Sequence, residues 1–280
     1  MNVHGFPISL EEAVLPALPR TRRAAAGATV WLWPGRALYA GPSLRLGPHS
    51  GAVACLAVGV DAAFAVQAMP GGELRARIAL VPPRVRHQLT AYGDRMAFLY
   101  LDPGSADDRG CRTCFAAGGE AVLAGHRHEG DLLALAAGLS EHTPVPQVTA
   151  WIAKATGHVT TSSADPRITA ATGRLMDAGE PLPAAALAAE LGLSESRFLR
   201  LFRDGTGTSY RRFRLWTRMH RAARAVAAGH NLTRAAADGG FASPSHLSTA
   251  FHAMFGLPPS ILLARDLTIR CLDQPPGAVT

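Results

Sequence analysis

Hydrophobic positions follow two different periods along the chain, one on each side of about residue 120. Before residue 102, short apolar runs alternate with turn-forming pairs such as Pro34-Gly35 and Gly41-Pro42. Such runs are typical of β-strands, and a long succession of them indicates a sandwich or a barrel. The predicted strands are Thr29–Trp33, Ala37–Ala40, Ser43–Leu46, Val53–Val58, Phe64–Ala68, Leu74–Leu80 and Met96–Leu101.

From about residue 119 the apolar residues recur at helical spacing. Two amphipathic faces come first, and either could form a dimer interface or pack on the strands. They consist of Leu132, Leu133, Leu135, Ala136 and Leu139, and of Val148, Trp151, Ile152 and Ala155. A small polar stretch follows, and the pattern is then helical up to residue 264.

The predicted fold is therefore α+β and divides into five segments. Residues 1–118 form a β-rich domain, 119–156 a helical dimerisation or packing segment, 157–166 a linker, 167–264 an all-α domain and 265–280 a mobile tail. The length of 280 residues agrees with two domains.

One apolar stretch, Gly51–Met69, has the length of a membrane span. Asp61 stands at its centre, where a charge is costly in lipid, so two strands joined by a turn explain the stretch better. The first 23 residues lack the unbroken apolar segment of a signal peptide, and four cysteines are too few for a disulfide scaffold. These features predict a cytoplasmic protein with no membrane partner.

Positive charge is concentrated in the helical part. Residues 1–166 contain 14 basic and 13 acidic residues, whereas residues 167–280 contain 14 basic and 8 acidic residues. A cationic excess confined to one half of a chain is typical of a nucleic-acid-binding domain beside a neutral domain.

The first of two similar units lies at residues 183–205. Leu187 and Leu191 share a helix face, and Gly192 can adopt the positive φ that ends a helix. Ser194 is then the N-cap of a second helix. The inward residues of that helix are Phe198, Leu201 and Phe202. Two helices joined by so short a turn form a helix-turn-helix.

The same pattern returns about 48 residues later. Leu232–Gly239 predicts its first helix, Ser243 is the N-cap of its second helix, and Gly256 ends that helix. The inward residues are Leu247, Ala250, Phe251, Met254 and Phe255. Between the two units, Tyr210–Ala228 predicts a connecting helix of about five turns.

Two helix-turn-helix units joined by one helix resemble the DNA-binding domain of AraC/XylS-family transcription regulators. The resemblance covers about residues 167–263, and its signature is Gly240-Phe241-Ala242-Ser243, Ser248-Thr249-Ala250-Phe251 and Phe255-Gly256-Leu257-Pro258-Pro259. It implies binding of double-stranded DNA with recognition helices in the major groove. The residues that it places at the DNA are Ser194, Glu195, Ser196, Arg197, Leu199, Arg200 and Arg203 in the first unit, Arg218 in the connecting helix, and Ser243, Pro244, Ser245, Ser248, Thr249 and His252 in the second unit.

The second recognition helix departs from the family pattern. Members commonly carry a basic residue where Thr249 and His252 stand, and a Tyr-Arg pair in place of Leu262-Leu263. Because residues 244–255 include no Arg or Lys, this helix neutralises little phosphate charge and makes no bidentate guanine contact. We therefore expect the first unit to dominate DNA affinity and sequence recognition.

The strand-rich half resembles the cupin-like sensor domains that precede this DNA-binding domain in many family members. Leu46–Ser50 and Leu80–Gln88 are similar to two turns of that barrel. A metal-binding cupin needs a His-x-His pair and a downstream carboxylate, but His49 stands alone, so no metal or other cofactor is predicted. A barrel interior can hold a small ligand. The candidate ligand contacts are Trp31, Trp33, His49, Arg84 and His87.

Cys111-Arg112-Thr113-Cys114 is followed by His126-Arg127-His128. A zinc site built from these residues would have an unfamiliar ligand spacing, and a redox dithiol would need one activated thiolate. The simplest interpretation is two unpaired thiols in a loop.

These observations favour a sequence-specific DNA-binding transcription regulator that is not an enzyme. It would respond to a small-molecule effector, form a homodimer and act as an activator or a repressor, with RNA polymerase as a further partner. One alternative is a metal-dependent cupin enzyme fused to a DNA-binding domain. The other is a thiol or metal sensor that uses Cys111 and Cys114.

Overall fold

The computed structural model describes residues 27–116, 121–157, 165–179 and 182–272. In this part of the chain the strands are β1 (Ala28–Trp33), β2 (Arg36–Pro42), β3 (Leu46–His49), β4 (Ala54–Gly59), β5 (Phe64–Met69), β6 (Glu73–Ala76), β7 (Ile78–Val81), β8 (Arg86–Ala91), β9 (Arg95–Leu101), β10 (Leu123–Ala124) and β11 (Leu267–Cys271). The helices are α1 (Ala106–Thr113), α2 (Glu129–Ala136), α3 (Val145–Thr156), α4 (Pro166–Asp177), α5 (Ala184–Glu190), α6 (Glu195–Thr206), α7 (Tyr210–Ala227), α8 (Leu232–Asp238), α9 (Pro244–Phe255) and α10 (Pro259–Leu263).

Two packed sheets form the N-terminal domain. One has the strand order β10-β7-β4-β9-β2-β1-β11 and the other has the order β3-β8-β5-β6. Their inner faces share a core that includes Phe64, Val66 and Phe98. The turn at Asp61 is confirmed, because this carboxylate accepts hydrogen bonds from the backbone N–H groups of Asp94 and Arg95. The α+β fold is also confirmed.

Helices α2 and α3 bury their apolar faces against the larger sheet. Leu132 and Trp151 are fully buried there, and the Trp151 indole N–H donates a hydrogen bond to the Leu132 carbonyl at 3.0 Å. Trp31 and Trp33 belong to the same core. Most residues of these amphipathic faces therefore pack on the sheet, whereas Leu135 is 47 % exposed, and a role of the segment in dimerisation stays a prediction.

Apart from shifts of one or two residues at strand ends, three features of the first nine strands differ from the prediction. Leu74–Leu80 divides at Arg77 into β6 and β7, which lie in different sheets, and the Arg77 guanidinium binds the carbonyls of Gly59 and Val60. The third strand begins only at Leu46. Strand β8 was not predicted, because its polar Arg86-His87-Gln88 start breaks the apolar pattern.

The C-terminal segment corrects the prediction of a mobile tail that begins at residue 265. Residues 267–271 form β11, which pairs in parallel with β1 in a register that aligns Ala28 with Leu267. Arg270 donates hydrogen bonds to the carbonyls of Glu141 and Thr143, at 3.2 and 3.0 Å. The chain thus returns from the helical domain and adds an edge strand to the N-terminal sheet. Residues 273–280 lie outside the described residues.

The helical domain has two cores, one for each predicted helix-turn-helix. Helices α4 to α6 and the start of α7 enclose Phe198, Phe202 and Phe213. Helices α7 to α9 enclose Trp216 and Leu247 in the second core, which also includes Leu32 and Val53 of the N-terminal domain. Helix α7 is the predicted connecting helix, and it ends one residue earlier than expected. Most of the predicted linker, residues 158–164, lies outside the described residues. No helix in the described ranges is long and apolar enough to cross a membrane.

Candidate nucleic-acid interface

Helix α6 is held as an outward-facing recognition helix. The Ser194 hydroxyl caps it by accepting a hydrogen bond from the Arg197 N–H, and Gly207 ends it with a φ of 69°. Phe198 and Phe202 anchor its inner side in the core. The opposite face is exposed, and the residues on it that were predicted to meet DNA are Glu195, Ser196, Arg197, Leu199, Arg200 and Arg203.

Arg200 and Arg203 lie one turn apart on this exposed face. The Arg200 side chain is 80 % exposed and is directed away from the core. Both guanidinium groups share a weak partner in Asp204, whose carboxylate oxygens lie 3.8 Å from Arg200 Nε and 3.9 Å from Arg203 Nε. Such exposed pairs contribute little energy, so these arginines are available to a phosphate or a base edge. Asp204 was not among the predicted residues. It could have been found from the sequence, because side chains four residues apart on a helix are neighbours and Asp204 follows Arg200 at that spacing.

Helix α9 has the same construction but a different chemistry. Ser243 caps it by accepting a hydrogen bond from the His246 N–H at 3.1 Å, and Pro244 takes the first helical position. Ser245, Thr249 and His252 are exposed, whereas Ser248 is half-buried. The helix has no Arg or Lys, so its exposed face can offer hydroxyl and imidazole groups but no permanent cation.

Arg218, the predicted DNA contact of the connecting helix, is engaged by the protein itself. Its guanidinium donates hydrogen bonds to the carbonyls of Gly239 and Gly240, at 3.2 and 2.5 Å, and stacks 4.1 Å from the centre of the Phe241 ring. These contacts fix the turn of the second helix-turn-helix unit on α7. A direct contact of Arg218 with DNA stays a prediction.

The connecting helix α7 also binds the N-terminal domain through polar contacts. The Trp216 indole N–H donates to Asp102 Oδ1 at 2.5 Å, His220 Nε2 bonds the Trp33 carbonyl at 2.8 Å, and Arg212 donates to the Ser50 hydroxyl at 3.0 Å. Burial raises the pKa of Asp102 from 3.8 to about 7, although the Trp216 hydrogen bond lowers it in part. No sequence pattern pointed to Asp102, because its partner lies 114 residues away.

Both helix-turn-helix units touch the N-terminal domain where their recognition helices end. Gly256, at the end of α9, has a φ of 79°, and a Cβ there would lie 2.7 Å from the Gly47 carbonyl oxygen. Gly104, which follows β9, approaches the backbone of Gly205 in α6 closely enough that a Cβ would clash with it. The N-terminal domain therefore holds both units in one mutual arrangement.

The predicted ligand contacts do not converge on one site. Trp31 and Trp33 are fully buried under α2 and α3, which corrects the expectation that they contact a ligand. The His49 and His87 rings lie against each other at 4.2 Å between ring centres, tilted by 54°. Burial lowers the pKa of both, that of His49 to about 4. Arg84 is exposed in a turn with a φ of 70°.

A cavity of 140 Å³ lies instead between the two domains. Its N-terminal wall is formed by β1, β2 and β9 through residues such as Val30, Tyr39 and Phe98. Its C-terminal wall is formed by α7 to α10 and β11, and includes Phe251 and Ile269. We call this space the interdomain cavity. It was not predicted, because its walls come from segments that are distant in sequence.

The residues proposed for a thiol sensor or a metal site are buried or engaged in hydrogen bonds within the protein. Cys111 and Cys114 are buried, and burial raises the pKa of the Cys111 thiol. His126 is engaged through both ring nitrogens, with Nε2 bonded to the Ala155 carbonyl and Nδ1 accepting the His128 N–H. Among the described residues, no group of three or more His, Cys, Asp or Glu side chains could hold a metal ion.

Comparison with known proteins agrees with this architecture. Residues 187–265 match a family described as a helix-turn-helix domain. The structure is similar to that of an apo form of a ToxT variant from Vibrio cholerae, with 12 % identity, 82 % of this chain and 97 % of that chain covered, and a TM-score of 0.55. It is also similar to wild-type ToxT from Vibrio cholerae with an unsaturated fatty acid bound, with 12 % identity, coverage of 81 % and 94 %, and a TM-score of 0.51.

A third similar structure is that of ToxT from Vibrio cholerae at 1.65 Å resolution, with 14 % identity, coverage of 82 % and 99 %, and a TM-score of 0.52. No curated protein sequence matches the chain. The predicted resemblance is confirmed by the matched domain together with the residues of the second helix-turn-helix signature. Residues 187–265 therefore form a helix-turn-helix domain, with the two-unit build that the resemblance to AraC/XylS-family transcription regulators predicts.

Proposed function

We propose that the chain is a sequence-specific regulator, and not an enzyme, which binds double-stranded DNA mainly through α6 and whose DNA affinity changes when a small molecule occupies the interdomain cavity. The observation that carries the DNA-binding part is the exposed face of a capped helix that presents Arg200 and Arg203. The proposed setting is the cytoplasm, with a homodimer as the active form and RNA polymerase as a further partner. Such a dimer would use a surface other than the buried faces of α2 and α3.

The cavity supports a sensing role because both domains line it. A ligand that fits one arrangement of the domains better than another shifts the population toward that arrangement. Gly47 contacts the end of α9, and Gly104 contacts the end of α6. A change in the arrangement of the domains would therefore also change the positions of these two helices. One solved ToxT structure contains an unsaturated fatty acid, which supports a small-molecule ligand for this chain as well.

Arg200→Ala should weaken binding to the cognate DNA site about tenfold to a hundredfold and relax base preference at one position. The reason is that a bidentate arginine–guanine contact contributes about 1–3 kcal/mol. Footprinting of the purified protein on its own upstream region, followed by titration of the protected duplex, measures this change. Arg75→Ala is the matched control, because it removes one exposed cation from β6 in the N-terminal domain. Equal affinities of the two variants would mean that Arg200 does not touch the DNA.

Thr249→Arg tests whether the second recognition helix lies on the DNA. Thr249 is exposed on α9, so the new guanidinium could reach a phosphate without disturbing the core. We expect tighter binding and a slope of log K against log salt that is steeper by about 0.9. Titrations at three salt concentrations measure the slope. A slope identical to that of the unmodified protein would place α9 away from the backbone.

A further inference from the structure

The residues that line the interdomain cavity are almost all apolar. Among the residues that the structure describes, its lining includes no Lys, Arg, Asp or Glu. Four lining side chains carry N–H or O–H groups, namely Tyr39, Tyr100, Trp216 and His220. Most of the remaining lining residues are aliphatic or aromatic, so a ligand would meet an almost wholly apolar surface.

Each of the four polar side chains already has a partner in the protein. The Tyr39 hydroxyl donates to the Pro42 carbonyl at 2.6 Å, and the Tyr100 hydroxyl is hydrogen bonded to the Cys55 thiol. The Trp216 indole N–H binds Asp102, and His220 Nε2 binds the Trp33 carbonyl. A carboxylate or carbonyl oxygen of a ligand would therefore have to displace one of these hydrogen bonds in order to accept one itself.

The ionisable lining groups are neutral near pH 7. Burial raises the pKa of Tyr39 to about 12 and lowers the pKa of His220. Arg265 and Arg95 act electrostatically on Tyr39, but neither of them lines the cavity. A carboxylate enclosed here would lose its hydration without gaining a cation or a free donor from the described lining residues, which is strongly unfavourable.

We infer that the interdomain cavity binds a compact, uncharged hydrophobic molecule, such as a monocyclic hydrocarbon, and rejects carboxylic acids in their ionised form. The volume of 140 Å³ limits how much of a molecule the cavity can enclose. It is close to the roughly 150 Å³ of an engineered apolar cavity that takes up benzene, and it is smaller than the roughly 300–1,000 Å³ of sites for drug-sized ligands. The inference rests on the proposed function and narrows its ligand to one class. This class differs from the fatty acid held in one ToxT structure.

The test compares toluene with benzoate, which has the same ring but carries a charge, and with octanoate. Titration calorimetry and thermal unfolding of the full chain at pH 7.5 should show toluene binding at least about a hundredfold tighter than either anion. At a free concentration ten times Kd, toluene should raise Tm by about 3 °C. Binding of benzoate or octanoate as tight as that of toluene, or no response to toluene, would overturn the inference.

Two variants assign the binding to this cavity. Ala223 lines the cavity from α7, so Ala223→Leu should fill part of it and weaken toluene binding at least about tenfold. The matched control is Ala228→Leu, because Ala228 is exposed immediately after the same helix. Val226→Phe fills the cavity from a second position if Ala223→Leu does not fold. Unchanged toluene affinity in a folded filling variant would place the ligand elsewhere and overturn the inference.

Footprinting of the same samples separates this inference from the proposed function. A folded protein that protects no DNA with or without toluene would contradict the proposed function. A protein that protects its site but binds benzoate as well as toluene would contradict only the class of ligand. A change in protection that follows toluene occupancy, and that Ala223→Leu abolishes, would support both.

Discussion

A chain that ends at Ala264 should lose about 2–5 kcal/mol of its free energy of unfolding, because it lacks β11. This strand pairs with β1 over five residues, from Leu267 to Cys271. Its Leu267 and Ile269 side chains line the interdomain cavity, and removal of such apolar groups leaves a gap as well as exposed apolar surface. The loss would also leave β1 as an unprotected sheet edge, which favours association between chains.

Urea unfolding followed by circular dichroism measures this loss. The matched control is a chain that ends at Leu272, which removes only residues 273–280 and keeps every β11 pair. The control should unfold at the urea concentration of the full chain, whereas the shorter chain should unfold at a lower one. Identical midpoints for the two truncated chains would show that β11 contributes nothing to stability.

The helical domain could be predicted closely because its signals are local. Ser194 and Ser243 were recognised as N-caps and Gly256 as a helix end, and the structure confirms all three. Each assignment depends on residues within a few positions of one another, and the second unit repeats the pattern of the first. The direction of Arg200 followed from the same spacing, because Phe198 and Phe202 fix which side of α6 faces the core.

The contacts between domains could not be predicted in the same way. The segment Leu267-Thr268-Ile269-Arg270-Cys271 does alternate apolar and polar residues as a strand would, yet its partner β1 lies more than 230 positions earlier. Similarly, Trp31 and Trp33 suit a ligand site until α2 and α3 are seen to cover them. The interdomain cavity exists only once β1, α7 and β11 are brought together. Its chemistry therefore followed from the structure alone.

Asp102→Asn should make the protein more stable above pH 7 and should have little effect near pH 4. The folded carboxyl group has its pKa raised from 3.8 to about 7, so between these values the folded state holds a proton that the unfolded state has lost. The stabilisation from Asp102 is thus fully present below about pH 4 and is lost as the pH rises toward 7. Asparagine cannot ionise, but its side-chain oxygen can still accept the Trp216 N–H.

Relative to the unmodified protein, the variant should gain about 1–4 kcal/mol in free energy of unfolding at pH 8. Arg36 keeps its ion pair with Asp107 at 2.6 Å, so the substitution leaves no guanidinium unpaired. Urea titrations from pH 4 to 8 give the difference between the two proteins. His49 is present in both proteins, and its pKa is lowered from 6.5 to about 4, so both proteins lose stability as the pH falls below 6.5. This common loss cancels when one free energy of unfolding is subtracted from the other. A difference that stays constant across the range would show that Asp102 does not take up its proton between pH 4 and 8, and that the contact between α7 and the N-terminal domain carries a buried charge at all these pH values.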